Sequence, residues 1–235
     1  MRMSACILFM LRSPRPGMVK TRLARDVGGE ATLALYKAFV LDMLEALRGC
    51  GADVAVWVEP GGEVDAVREW LDGVADTVRE QSGGSMVYLP QPDGDLGEKM
   101  DYAFRWAFGR GYAAAAALGS DMPQLSPKMA RSLARLLNSE PALIGPCPDG
   151  GYWTIGFRSQ SYLPEVFANM PWSTPELFTR TMAVVEGLQP AVLPELADTD
   201  TLDDLLRLAL NCPAGLARRT LAVAGPLLRS FQGVR

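Results

Sequence analysis

The chain has 235 residues, 49% of them hydrophobic and 21% charged, with a formal net charge of −4. This describes one globular domain with a sizeable core and argues against a disordered chain, a general nucleic-acid binder or a surface for anionic membranes. Histidine is absent, which excludes Ser-His-Asp triads, Cys-His dyads and histidine metal sites, so an enzyme built from this chain works with carboxylates, cations, backbone dipoles and a hard metal ion.

Residues 5–11 form an apolar run that predicts a buried strand. The run empties into Leu11-Arg12-Ser13-Pro14-Arg15-Pro16-Gly17-Met18-Val19-Lys20-Thr21-Arg22-Leu23, a loop with two prolines, a glycine and four cations within 11 residues. The prolines stiffen it, and Gly17 permits a tight turn or the close approach of a ligand. Arg12, Arg15, Lys20 and Arg22 suit an oligophosphate, Arg as a planar fork and Lys as a point charge. A solvated basic loop is the alternative. Residues 30–49 read as a helix, with Leu33, Leu35, Phe39, Val40, Met43, Leu44 and Leu47 near helical spacing and Gly49 and Gly51 ending it. A strand over 53–59, a short helix over 62–72 and a polar surface connection over 76–85 follow.

Residues 86–89 predict a strand, and Gln91-Pro92-Asp93-Gly94-Asp95-Leu96-Gly97-Glu98-Lys99-Met100 leads into a helix over 95–110. Gly94 and that helix start suit an anion or a sugar, or form a plain helix cap. A strand over 113–118 runs into Gly119-Ser120-Asp121-Met122-Pro123. There Asp121 either caps the next turn or holds Mg²⁺ or Mn²⁺ against a diphosphate. Ser126-Pro127 opens a helix over 126–138. Strands over 142–145 and 152–157 flank Pro148-Asp149-Gly150-Gly151-Tyr152, either a hairpin turn or a place where backbone approaches a ligand beside Asp149 and Tyr152. A helix over 175–187, a strand over 191–193 and a helix over 201–210 complete the alternation. Asp198-Thr199-Asp200-Thr201 can cap the last of these, and Asp198 and Asp200 are also placed to complete a metal site with Asp121. After Pro213, residues 215–229 form an amphipathic stretch interrupted by Gly225-Pro226, which packs on the domain or on a partner and permits a homodimer.

The order predicts an α/β fold, a three-layer α/β/α sandwich with a mostly parallel central sheet over 1–210 and a helical extension over 211–235. In such sheets ligands sit past the carboxyl ends of the strands, where the basic loop lies. Gly17-x-x-Lys20-Thr21 lacks the spacing of a P-loop, and no GxGxxG follows the first strand. Cys6, Cys50, Cys147 and Cys212 lie far apart without a CxxC, the usage expected of reduced thiols in the cytoplasm. The N-terminus carries no signal-peptide pattern, and the alanine run over 113–117 is too short to span a bilayer.

Taken together, these motifs resemble the DUF2064 family of the GT-A-type nucleotide-diphospho-sugar transferase superfamily. The matching segments are Arg12 to Leu23, Gly94 to Met100, Gly119 to Pro123, Asp149 to Tyr152, Trp172-Ser173-Thr174 and Asp198 to Thr201, in that order. They are also similar to motifs of 2-phospholactate and molybdenum-cofactor guanylyltransferases. The resemblance implies a GT-A fold in which Arg12, Arg15, Gly17, Lys20, Arg22, Gln91 and Gly94 contact the nucleotide phosphates. It implies catalytic roles for Lys20, Arg22 and Asp121, and Mg²⁺ or Mn²⁺ on Asp121, Asp198 and Asp200. Asp149, Gly150, Gly151, Tyr152 and Trp172 would line the acceptor side. The implied reaction is transfer of a nucleotidyl group from a nucleoside triphosphate to a phosphorylated acceptor. Glycosyl transfer from a nucleotide sugar to a small acceptor is the alternative, and a nucleotide-binding protein without turnover is a third; no nucleic acid or membrane partner is expected. One departure stands out: the family's Asp-x-Asp-Thr-Pro-Glu-Asp-Leu is Asp198-Thr-Asp-Thr-Leu-Asp-Asp-Leu here, which keeps both carboxylates but puts the helix start in doubt.

Overall fold

The computed structural model describes residues 5–74 and 85–232. Strand β1 (Ala5–Arg12) is the apolar run, and it sits at the centre of the sheet. Ile7, Phe9 and Leu11 face one helical layer, and Cys6 and Leu8 face the other. Burial on both faces is the mark of a central parallel strand. Strands β2 (Asp53–Glu59) and β4 (Ala114–Leu118) flank it in parallel, and β3 (Met86–Pro90) extends the sheet beyond β2. Strand β6 (Tyr152–Arg158) runs antiparallel between β4 and β5 (Ala142–Pro146), and the short β7 (Ala191–Val192) lies parallel to β5 at the edge. The order is β3-β2-β1-β4-β6-β5-β7, mostly parallel as expected.

The helices are α1 (Thr21–Val27), α2 (Gly29–Leu47), α3 (Val64–Val74), α4 (Leu96–Gly109), α5 (Pro127–Ser139), α6 (Leu177–Val185), α7 (Leu202–Asn211) and α8 (Arg218–Gln232). One layer takes Leu35 and Phe39 of α2, Leu71 of α3, Leu133 of α5, Leu205 of α7 and Leu228 of α8. The other takes Phe104 of α4 and Val185 of α6. There Phe104 stacks on Tyr162 and Phe167 at 5.3 and 5.5 Å and meets Phe157 edge-on at 5.7 Å. The three-layer sandwich is therefore present. No helix among the described residues is long and apolar enough to cross a membrane.

Three segments depart from the sequence reading. Helix α1 begins within the stretch read as a loop, at Thr21, and runs on through residues assigned no element; with seven residues and Leu23 as its buried anchor, it is too short to show a periodic stripe. The helix expected over 175–187 spans Leu177–Val185 and ends in a 3₁₀ turn, Glu186–Leu188. Helix α8 runs through Pro226 without interruption. Gly225 makes this feasible, because it has no Cβ to clash with the proline ring that follows. The connection expected over 76–85 lies, except for Ser85, outside the described residues.

Helix α8 is held by a carboxylate from another helix. Asp42 of α2, itself buried, accepts hydrogen bonds from the backbone N–H of Arg219 at 3.1 Å and of Thr220 at 2.9 Å. It thereby satisfies two amides of a first turn that has no intrahelical partners for them. Arg219 also pairs with Asp42 and Glu45, and Ala224 and Leu228 complete the docking. The C-terminal segment thus packs on the sheet's own helical layer. Replacing Asp42 by Ala should lower unfolding free energy by about 2 kcal/mol, read from denaturant midpoints. An unchanged midpoint would show that apolar docking alone secures α8.

Candidate functional site

Because β1, β2, β3 and β4 are parallel, their carboxyl ends share one edge of the sheet. The reversed β6 begins at that edge, and β5 ends there. The loop after β1 is anchored by buried Val19 and Leu23. Between them Lys20 adopts a left-handed backbone (φ 47°, ψ 47°), uncommon for a residue with a side chain. Its ammonium lies 2.8 Å from an oxygen of Asp121 and also bonds a carboxylate oxygen of Asp200. Only 5% of the Lys20 side chain is exposed. Burial opposes the charged form, but the charges of Asp121 and Asp200 outweigh it and raise the lysine pKa above its ordinary value.

The two carboxylates are fixed by their backbones. Thr199 donates its N–H to the Asp121 carbonyl at 3.1 Å, which joins the 198–201 segment to the end of β4. The Asp200 N–H donates to the Asp204 carboxylate at 3.1 Å. Thr201 and Asp204 form a capping box, Asp204 taking the Thr201 N–H at 2.8 Å while its own N–H donates to the Thr201 hydroxyl at 3.2 Å. The loss of the family's Pro-Glu pair therefore leaves the start of α7 intact.

Three residues not singled out in the sequence take part. The Tyr36 hydroxyl, reaching across from α2, lies 3.1 Å from the N–H and from the carbonyl of Arg12, and 3.1 Å from the Ser120 hydroxyl. One buried phenol thus clamps the end of β1 to the end of β4; burial raises its pKa well above the usual tyrosine value. Glu59 stands opposite Arg12 in the β1–β2 register and bonds both Arg12, at 3.2 Å, and Lys99 of α4. Burial would raise the Glu59 pKa, yet Lys99 and Arg12 hold it below the ordinary carboxylate range. Tyr36 occurs within an apolar helical stripe, and Glu59 ends a strand, so neither position carried a local signal. Lys99 lay inside a motif but read as part of a helix.

Two clefts meet at Gly119, Asp121 and Ser173. The first, about 510 Å³, is lined by Arg12, Lys20, Arg22, Gln91, Tyr36 and Glu59 among others. The second, about 360 Å³, is lined by Cys147, Asp149, Gly151, Tyr152, Thr174 and Asp198 among others. Ser173, on the wall between them, has a left-handed φ of 62°. Arg22 makes no ion pair among the described residues, whereas Gln91 braces the strand ends by donating to the carbonyls of Trp57 at 2.9 Å and Leu11 at 3.4 Å.

Other expected site residues stand outside both cleft linings. Arg15 pairs with Glu63, and Gly17 is in open space. Gly94 precedes the Asp95–Glu98 capping box of α4. Gly150 (φ 88°) packs against the backbone of Pro175, where a Cβ would collide. Trp172 covers Gly97, so it is its neighbours Ser173 and Thr174 that face the second cleft. Of the expected residues that do line the second cleft, Asp149 accepts the Gly151 N–H at 2.9 Å, and the Asp198 carboxyl is pushed up to about 6 by burial and by the charge of Asp200.

No group of three or more Asp, Glu, Cys or His among the described residues is arranged to hold a metal ion. The donor chemistry nonetheless fits a hard divalent cation. Asp121 and Asp200 direct oxygens at one point, filled by the Lys20 ammonium, and Asp198 crowds beside them.

The family described as "Uncharacterized protein conserved in bacteria (DUF2064)" matches residues 43–174. A crystal structure from Desulfovibrio desulfuricans, described as a "putative nucleotide-diphospho-sugar transferase", is 32% identical with a TM-score of 0.83, covering 97% of each chain. A cytidylyltransferase from Leptospira borgpetersenii is 16% identical with a TM-score of 0.54, over 98% of this chain and 96% of that one. The 4-diphosphocytidyl-2C-methyl-D-erythritol synthase of Anaerococcus prevotii is 10% identical with a TM-score of 0.55, over 87% and 95%. Among curated proteins there is no match.

Replacing Lys20 by Ala leaves Asp121 and Asp200 facing each other. The expected loss is about 2 kcal/mol of stability, below the figure for a fully buried pair because both carboxylates are partly hydrated. Millimolar Mg²⁺ should restore more stability to this variant than it adds to the wild type, as followed by thermal unfolding. With its pKa raised in the folded state, Lys20 contributes fully below the ordinary lysine value of 10.5 and loses its contribution only as pH climbs through the higher folded value. The difference between wild type and variant should thus be flat through neutral pH and narrow in strong alkali. A gap that closes near neutrality would contradict the pairing.

Proposed function

The chain belongs to the DUF2064 family, and on that premise we propose that it is a metal-assisted transferase that takes its donor group from a nucleotide sugar. The nucleoside diphosphate lies in the first cleft, the acceptor in the second, and the group passes beside Asp121. The observation that carries this reading is the set of Arg12, Lys20 and Arg22 on one side of Asp121, at the sheet edge where open α/β folds bind ligands. Kinship with the Desulfovibrio protein, at 32% identity, supports the same superfamily chemistry.

Most of the loop's cations already have partners: Arg12 has Glu59, Arg15 has Glu63 and Lys20 has two aspartates. That favours a diphosphate leaving group over the more highly charged triphosphate needed for nucleotidyl transfer. Arg22 meets a phosphate without first leaving a carboxylate, and Arg12 exchanges Glu59 for a phosphate oxygen. Asp121 and Asp200 would hold Mg²⁺ or Mn²⁺, with Asp198 in support. When bound, the ion supplies positive charge that stabilises the departing diphosphate. Tyr36 keeps the β1 and β4 ends in fixed relation, so that cations and carboxylates are preorganised. We place the protein in the cytoplasm on the strength of its four free cysteines.

Thermal unfolding with nucleoside triphosphates and nucleotide sugars, each with and without Mg²⁺, tests this reading. A nucleotide sugar should stabilise the protein in a Mg²⁺-dependent manner, by about 2.7 kcal/mol at a hundredfold excess over its Kd. Arg22→Ala should weaken that binding about tenfold, and Asp121→Asn should abolish the Mg²⁺ dependence together with turnover. Selective stabilisation by one triphosphate would instead favour nucleotidyl transfer. Affinity unaltered in Asp121→Asn, with no turnover in the wild type, would leave a binding protein without catalysis.

A further inference from the structure

We propose that the second cleft takes an uncharged, hydroxyl-bearing acceptor and discriminates against phosphorylated ones. The proposal rests on the transferase reading above and adds to it the chemistry of the acceptor.

The clefts differ in whether they hold any cation. The first is lined by Arg12, Lys20 and Arg22 as well as by Glu59, Asp121 and Asp200. Among the described residues, the charged groups that line the second are Asp121, Asp149 and Asp198, with no Lys or Arg. Lys20 is committed to Asp121 and Asp200. A divalent ion on Asp121, Asp200 and Asp198 would still leave Asp149 facing the cleft, with no cation in its lining. A phosphate dianion brought there meets like charge and finds no cation to pair with.

The potential registers on Cys147, in the same lining. The Cys147 thiol is pushed up to about 12 by burial and then by Asp198, Asp149, Glu195 and Asp121. The remaining wall pairs hydrogen-bonding groups, such as the Ser173 hydroxyl and the Asp149 carboxylate, with the apolar surfaces of Met122 and Trp153. Carboxylates that accept from hydroxyls beside apolar faces suit a polyol or a sugar.

In the transfer, the acceptor hydroxyl oxygen bonds to the anomeric carbon of the donor sugar while the bond from that carbon to the diphosphate breaks. The electron pair leaves with the nucleoside diphosphate. The hydroxyl proton passes to a cleft carboxylate, of which Asp149 is the one outside the expected metal set.

Cys147 makes the cleft's charge measurable without knowing the acceptor. The intact protein, in Mg²⁺, is treated with methanethiosulfonate reagents that are cationic, neutral or anionic. Modification of Cys147 is followed by peptide mass spectrometry, and each rate is divided by that of 2-mercaptoethanol with the same reagent. The thiolate fraction is common to all three and cancels. The same series is run on Thr174→Cys in a Cys147→Ser background, which reports from another part of the cleft wall. The cationic reagent should react faster than the anionic one by at least about tenfold, and Asp149→Asn should narrow the ratio. Equal rates, or a faster anionic reagent, at either thiol would overturn the proposal. The two readings fail separately. A chain that binds no nucleotide yet keeps this order loses the donor assignment, and one that binds nucleotide with the order reversed loses the acceptor assignment.

Discussion

The site is organised around one buried cation. The Lys20 ammonium joins the loop after β1, the end of β4 and the lead-in to α7, and the two ends of its bond to Asp200 are 180 residues apart in the chain. A charge taken out of water is tolerated only when it is paired and hydrogen-bonded. That requirement explains the left-handed backbone at Lys20 and the buried anchors Val19 and Leu23 on either side. It also explains why the Asp198–Thr201 segment is tied to Asp121 through backbone as well as side chain. The loop is thus set in place before any ligand arrives, which is the condition for electrostatic preorganisation.

The second organising feature is the reversed strand β6. Four parallel strands deliver their carboxyl ends to one edge, and with them come Arg12, Glu59, Gln91 and Asp121. Because β6 runs the other way, its first residue and the turn before it arrive at the same edge from the opposite half of the sheet. Cations therefore come mainly from the β1 side, and uncompensated carboxylates from the side of β5 and β6. The chemistry proposed for the two clefts follows from that division, with Asp121 on the border between them.

Much of this was legible in the sequence. The apolar 5–11 run and the Ser126-Pro127 signal gave β1 and the start of α5 close to where they fold. The motifs marked the strand ends that converge. Other features were not legible, for reasons that differ from residue to residue. Helix α1 is too short for periodicity to show it, and Pro226 reads as a break until Gly225 before it and Asp42 at the start of α8 are taken into account. The family resemblance implied Trp172 for the acceptor side, yet it packs over Gly97, and Ser173 and Thr174 beside it line the cleft.

The amino-acid sequence by itself determined the class of fold, the order of the elements and which residue types meet at the sheet edge. Those properties arise from hydrophobic periodicity and turn chemistry, which act over a few neighbours. Only the tertiary structure decided which charges are paired. Glu59 takes Arg12 and Lys99, Asp121 and Asp200 take Lys20, and Tyr36 bridges Arg12 to Ser120. Whether a cation is free for a ligand depends on the distance and burial of groups remote in the chain, and no local pattern encodes that.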